Sequence, residues 1–107
     1  MERDLDLASD INLYDMYSEG LTFSDPDFTH SIPMARERVA KTLEAGVRAT
    51  EMNLTRLRRV DDYVISNIDG LPDDFDEDDP NQSLEKWWWH LKAIKEGRFP
   101  RELLPVS

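Results

Sequence analysis

Residues 33–69 read PMARERVAKTLEAGVRATEMNLTRLRRVDDYVISNID, and the folding of this stretch decides the architecture. Pro33 suits the first turn of a helix, no further proline occurs until Pro72, and Gly70 suits the position just past a helix end. Leu43, Val47, Thr50, Leu54, Leu57, Asp61, Val64 and Ile68 alternate in steps of four and three. One coiled-coil-like stripe therefore runs down the segment, with polar interruptions at Thr50 and Asp61. Glu37/Lys41 and Glu44/Arg48 support its outer face by at most about 0.5 kcal/mol each. The pattern predicts one long helix, on the order of 50 Å at ~1.5 Å per residue, whereas a compact chain of this size has a radius of gyration of about 13 Å. Either the helix breaks near Gly46, or it protrudes and buries its stripe against another chain. Thr50 and Asp61 would then fix the register of that pairing, or else face a wet edge.

Downstream, residues 71–82 read as a loop, because Pro72, Pro80 and six crowded carboxylates disfavour helix. Ser83 then offers an N-cap for a second helix over Leu84–Glu96, closed by Gly97. Its inner face would be Leu84, Trp87, Trp88, Leu91 and Ile94, with Trp89 turned away, and an apolar tail through Phe99 and Leu104 follows. Upstream, Ser9 or Asp10 caps a short helix carrying Ile11, Leu13, Tyr14, Met16 and Tyr17, stopped at Gly20. Leu21 to His30 mixes aromatic residues with turn formers around Pro26 and has no regular period. The expected fold is all-α: a long helix and a shorter one as an antiparallel hairpin (33–107), preceded by a mostly irregular acidic N-terminal arm (1–32) carrying one short helix.

Charge separates these parts. The chain of 107 residues has a net charge of −10, yet residues 33–70 hold seven basic and six acidic side chains. Residues 1–32 contribute −7, from eight acids and Arg3, and residues 71–82 contribute −6, from six acids and no base. Such an acidic arm and loop suit a partner that is basic or grooved and disfavour direct contact with nucleic-acid backbones or anionic lipid. The absence of cysteine excludes disulfides, thiol chemistry and cysteine-based metal centres. The N-terminus lacks the pattern of a signal peptide and no apolar run reaches membrane-spanning length, so a cytoplasmic location is expected.

Two motifs invite a chemical reading. Asp74, Asp76, Asp78 and Glu85 fall at positions 1, 3, 5 and 12 of a calcium loop, but Asp79 replaces the glycine needed for its turn and Pro80 follows. They are weak metal candidates, and no cofactor is called for. Trp87-Trp88-Trp89 cannot all face one core on a helix, so at least one indole is expected at the surface or against a partner. His30 and His90 are the only histidines, there is no glycine-rich phosphate loop, and paired carboxylates are too common here to diagnose catalysis.

The sequence therefore points to a non-catalytic protein–protein interaction protein: an accessory or regulatory subunit, adaptor or inhibitor. It would bind a larger partner through Tyr14, Tyr17, Phe23, Phe28, Trp88 and Trp89. A homodimer would cover stripe surface that the second helix cannot reach. The alternatives are an acidic nucleic-acid mimic (an inhibitor, antitoxin or immunity protein blocking a DNA- or RNA-binding cleft) and a small subunit of an enzyme complex.

Overall fold

The computed structural model describes residues 6–23 and 25–105, and among them the chain is all-helical, with no strand. In order come α1 (Leu7–Ser18), α2 (Gly20–Phe23), α3 (Pro26–Glu44), α4 (Glu51–Ser66) and α5 (Leu91–Lys95), with 3-10 turns at Ile68–Gly70, Trp87–Trp89 and Arg101–Leu103. No helix among the described residues is long and apolar enough to cross a membrane.

The stretch expected as one long helix is two. Gly46 adopts φ +90°, in the left-handed region that favours glycine, while the Ala45 and Gly46 N–H groups close the last turn of α3 on Lys41 and Leu43. Thr50 then takes an extended conformation and its hydroxyl accepts the Asn53 N–H, so this stripe position is the N-cap of α4. The start also shifts: Asp25 caps α3, Pro26 occupies its first turn, and Pro33 lies inside the helix with its ring fully buried. With the break, the molecule measures 42 × 28 × 25 Å with a radius of gyration of 13.5 Å. The stripe is shared between two helices of one chain, with Leu57 and Val64 buried and Leu43 and Val47 half-buried. The overlong helix that motivated a homodimer is absent.

The antiparallel hairpin is replaced by a different arrangement. α1 packs against both α3 and α4, whose backbones approach each other far less than either approaches α1. Leu7, Ile11 and Tyr14 are buried in one cluster with Ile32, Ala35, Val39, Leu57, Val60 and Val64. The segment read as an arm thus supplies the central helix, and the boundary drawn between residues 32 and 33 falls inside α3. Its acidity hid this role, because the carboxylates of α1 and its cap, Asp6, Asp10 and Asp15, are each given a partner. Asp6 caps the helix through the Ser9 N–H; Asp15 faces Arg56; and Asp10, buried, accepts from Arg38 Nε at 2.9 Å and Thr42 Oγ1 at 2.6 Å.

The second helix expected over Leu84–Glu96 shrinks to α5. Ser83 Oγ accepts only from the Glu85 N–H, in a local turn. The α5 start is capped from across the loop by Asp78, whose carboxylate accepts the Lys92 and Ala93 N–H groups at 2.9 and 3.1 Å. Gly70 ends the 3-10 turn that follows α4, and it also acts through space: a Cβ there would collide with the Leu21 carbonyl oxygen, so this close approach of two backbones admits no side chain.

Candidate functional site

Three ionic groups lie at the joins between these helices, and what they touch defines what is free. At the centre, Asp61 of α4 accepts the Tyr14 hydroxyl at 2.6 Å and a bidentate pair from Arg36 of α3, Nε to Oδ1 at 2.9 Å and a terminal nitrogen to Oδ2 at 3.2 Å. The Arg36 guanidinium lies 4.4 Å over the Trp88 ring, with Tyr14 and Trp87 near 6 Å. Burial first, and the Asp61 charge second, push the Tyr14 hydroxyl well above its ordinary range. The buried arginine is held by a carboxylate and three aromatic faces, an arrangement that joins α1, α3, α4 and the tryptophan turn. Asp61, read as a register residue or a wet edge, is its hub.

Glu37 organises the tryptophans. Its Oε1 accepts the indole N–H groups of Trp88 at 3.0 Å and Trp89 at 2.8 Å, and its Oε2 accepts from Lys86 at 3.0 Å. Trp87 and Trp88 pack edge to face and are buried, and Trp89 is half-buried. A continuous α-helix could not turn all three toward α3, and the 3-10 turn followed by a break at His90 makes room for that. Burial alone would push the Glu37 carboxyl up, but the bonds from Trp89, Lys86 and Trp88 outweigh it and hold the carboxyl below its usual range. A depressed folded-state value stabilises the fold above the unfolded-state pKa and loses that contribution as pH falls through the folded value. Glu37→Gln is therefore expected to flatten the loss of stability below about pH 4.5, and Glu37→Ala to cost about 2–3 kcal/mol at neutral pH, both read by urea denaturation.

The acidic loop is irregular but pinned. Leu71 and Phe75 are buried, the Asp79 N–H donates to the Trp89 carbonyl at 2.8 Å, and Lys92 and Lys95 donate to oxygens of Leu71 and Asp73. The calcium-loop positions are not brought together: Asp78 is turned inward as the α5 cap, while Asp74, Asp76 and Glu85 are exposed. Among the described residues the one set of three grouped metal-ligating side chains is His30, Asp76 and Glu77, with ligand atoms within 4.8 Å of one another. It shares only Asp76 with the four weak candidates. His30 packs edge to face on Phe75, and its Nδ1 is buried without a hydrogen-bond partner. His90 Nε2 lies against the Gln82 and Ser83 carbonyls, so its ring ties the start of the tryptophan segment to its end.

The six residues expected at a partner surface divide. Tyr14 and Trp88 are buried with their polar atoms bonded, which makes them core residues, and Trp89 spends its N–H on Glu37. Tyr17 and Phe28 pack edge to face at 5.5 Å and are half-buried. Tyr17 lines a shallow groove between α1 and α3 with Leu13, Met34 and Arg38. Phe23 is 74% exposed. The sequence reading overlooked α4, where two adjoining clefts share Arg56 and Arg59 and end at Met52 and Tyr63. The run Arg56, Arg58, Arg59 was legible as basic charge, but its outward face was not. No protein-family model matches the chain, and no curated protein or solved structure matches it.

Proposed function

We propose that this chain is a non-catalytic protein-interaction protein, an accessory subunit, adaptor or inhibitor that binds a larger protein presenting a basic surface. The observation that carries the reading is the pinned acidic loop. Phe75 and Asp78 anchor it, while Asp74 and Asp76 project into solvent, the Asp76 side chain 81% exposed. Carboxylates held outward on a fixed frame give a negative field of defined position, which steers and orients a basic partner without the entropy cost of ordering a floppy tail. The arginines of α4 fit a nucleic-acid mimic poorly.

The test is recovery of the partner from the native source with tagged full-length protein, followed by titration of the purified pair. Asp74→Asn/Asp76→Asn is expected to weaken the complex about tenfold and to reduce its salt dependence while leaving thermal unfolding unchanged. A complex indifferent to both salt and this variant would remove the reading. Competition of the complex by DNA or RNA would favour the mimic instead.

A further inference from the structure

The geometry points to a binding site for a first-row divalent cation, zinc in the first instance, between α3 and the acidic loop, with His30, Asp76 and Glu77 as its protein ligands. One ligand atom from each lies within 4.8 Å of the others, and His30 Nε2 stands 4.0 Å from Asp76 Oδ1. Donors ~2.1 Å from a zinc ion at tetrahedral angles are ~3.4 Å apart, so the carboxylates close on the imidazole by rotating inward. The frame for that rotation is fixed. His30 is set in the second turn of α3 and packs edge to face on Phe75, which is buried. On the far side of the carboxylate pair, Asp78 caps α5 and the Asp79 N–H donates to the Trp89 carbonyl. Residues 76 and 77 are thus tethered at both ends, while the exposed Asp76 side chain keeps its freedom to turn.

Two observations set this group apart from the acid around it. The first is that its side chains have no other work. Among the described residues His30 makes no side-chain hydrogen bond, since its Nδ1 is buried without a partner and its Nε2 faces only the Asp76 oxygen, too far to bond. His90 differs, with two carbonyls against its ring. The nearby lysines are spent elsewhere, Lys92 and Lys95 on oxygens of Asp73 and Leu71, and no lysine or arginine among the described residues pairs with Asp76 or Glu77. An unemployed imidazole beside two uncompensated carboxylates calls for an occupant, and a divalent ion on Nε2 offsets both negative charges. The second observation is the donor set. One imidazole nitrogen with two carboxylate oxygens suits zinc, cobalt or nickel, whereas calcium and magnesium take oxygen ligands. With the ion on Nε2, Nδ1 carries the proton, and packing on Phe75 orients the ring in place of an outer acceptor, which is worth about 10–100-fold in affinity where present. Moderate affinity follows. Three protein ligands also leave a fourth position for water. The site needs only the chain by itself, so it stands whether or not the interaction reading does.

The test is calorimetric titration of the untagged full chain with zinc, and with calcium and magnesium for comparison. One zinc per chain is expected, bound more tightly than either of the others, with a melting temperature that rises with free zinc. Asp76→Asn/Glu77→Gln should weaken zinc binding about tenfold or more while leaving the melting temperature in chelator unchanged, because neither carboxylate pairs with a lysine or arginine among the described residues. Asp74→Asn/Glu85→Gln removes the same charge from exposed positions outside the triad and should leave zinc binding nearly unchanged. His30→Ala would also lose the packing on Phe75, so the imidazole is tested in the wild type instead: added cobalt should shift the ring resonances of His30 and spare those of His90, the only other histidine. Absence of saturable zinc binding overturns the inference. So does equal loss in the two double variants, calcium bound as tightly as zinc, or cobalt shifts centred on His90, since the ion would then be following the diffuse charge of the loop.

Discussion

Deleting residues 1–19 is expected to abolish cooperative unfolding of the remainder, leaving a chain with weak helical circular dichroism and collapsed amide dispersion. The deletion removes α1, and with it Leu7, Ile11 and Tyr14, all buried, from the one element that touches both α3 and α4. Burial of side chains of this size contributes about 1.5–3 kcal/mol each. The truncation also strips the hydroxyl from Asp61 and removes Asp10 from Thr42 and Arg38. The loss approaches the whole stability of a small domain, about 5–15 kcal/mol. A cooperative melt retained by residues 20–107 would show that α3, α4 and the tryptophan turn close a core by themselves. Ile11→Asp in the full chain should give the same collapse, because it sets a charge with no partner at a position with no exposure.

Asp61→Ala carries the second large effect, an expected loss of about 3–5 kcal/mol in urea denaturation, because it strands the Arg36 charge among Tyr14, Trp87 and Trp88. Tyr14→Phe removes a single bond to a charged acceptor and should cost about 1.5–3 kcal/mol. Replacing Arg36 and Asp61 together by apolar residues of similar volume should cost much less than Asp61→Ala alone, since no buried charge is then left unpaired. If the double replacement is as damaging as the single one, the pair is not the source of the penalty. The same centre gives a signature in alkali. Tyr14 keeps its proton in the folded state to a pH well above its ordinary value, so its contribution is intact below the unfolded-state pKa, near 10. It declines as pH rises from there through the folded value. Stability should therefore fall above about pH 10 in the wild type and fall less steeply in Tyr14→Phe.

The all-α class was legible because it rests on local signals: the Leu43–Ile68 spacing, the prolines, and the carboxylates and prolines that keep 71–82 out of a helix. The break at Gly46 was legible only as an alternative. Glycine at that position permits a turn, but the capping hydroxyl of Thr50 could equally have occupied a stripe position. The site was less visible. The sequence assigns Tyr14, Trp88 and Trp89 to a partner surface, even though Trp88 also falls on an inner helix face, because their neighbours in sequence are acidic or equally aromatic, whereas their partners, Asp61 and Glu37, are 47 to 52 residues away.

By itself, then, the sequence determined which segments could be helical and where charge would concentrate, since capping, proline geometry and side-chain period act within a few residues. Tertiary structure decided which helix is central, which carboxylates are buried and which arginines are left outside. Asp10 and Asp61 tolerate burial only because Arg38, Thr42, Arg36 and Tyr14 arrive from other elements. Asp78 ends up capping α5 only because the pinned loop brings it there. A buried charge is stable only where its partner stands, and in this chain those partners come from distant segments.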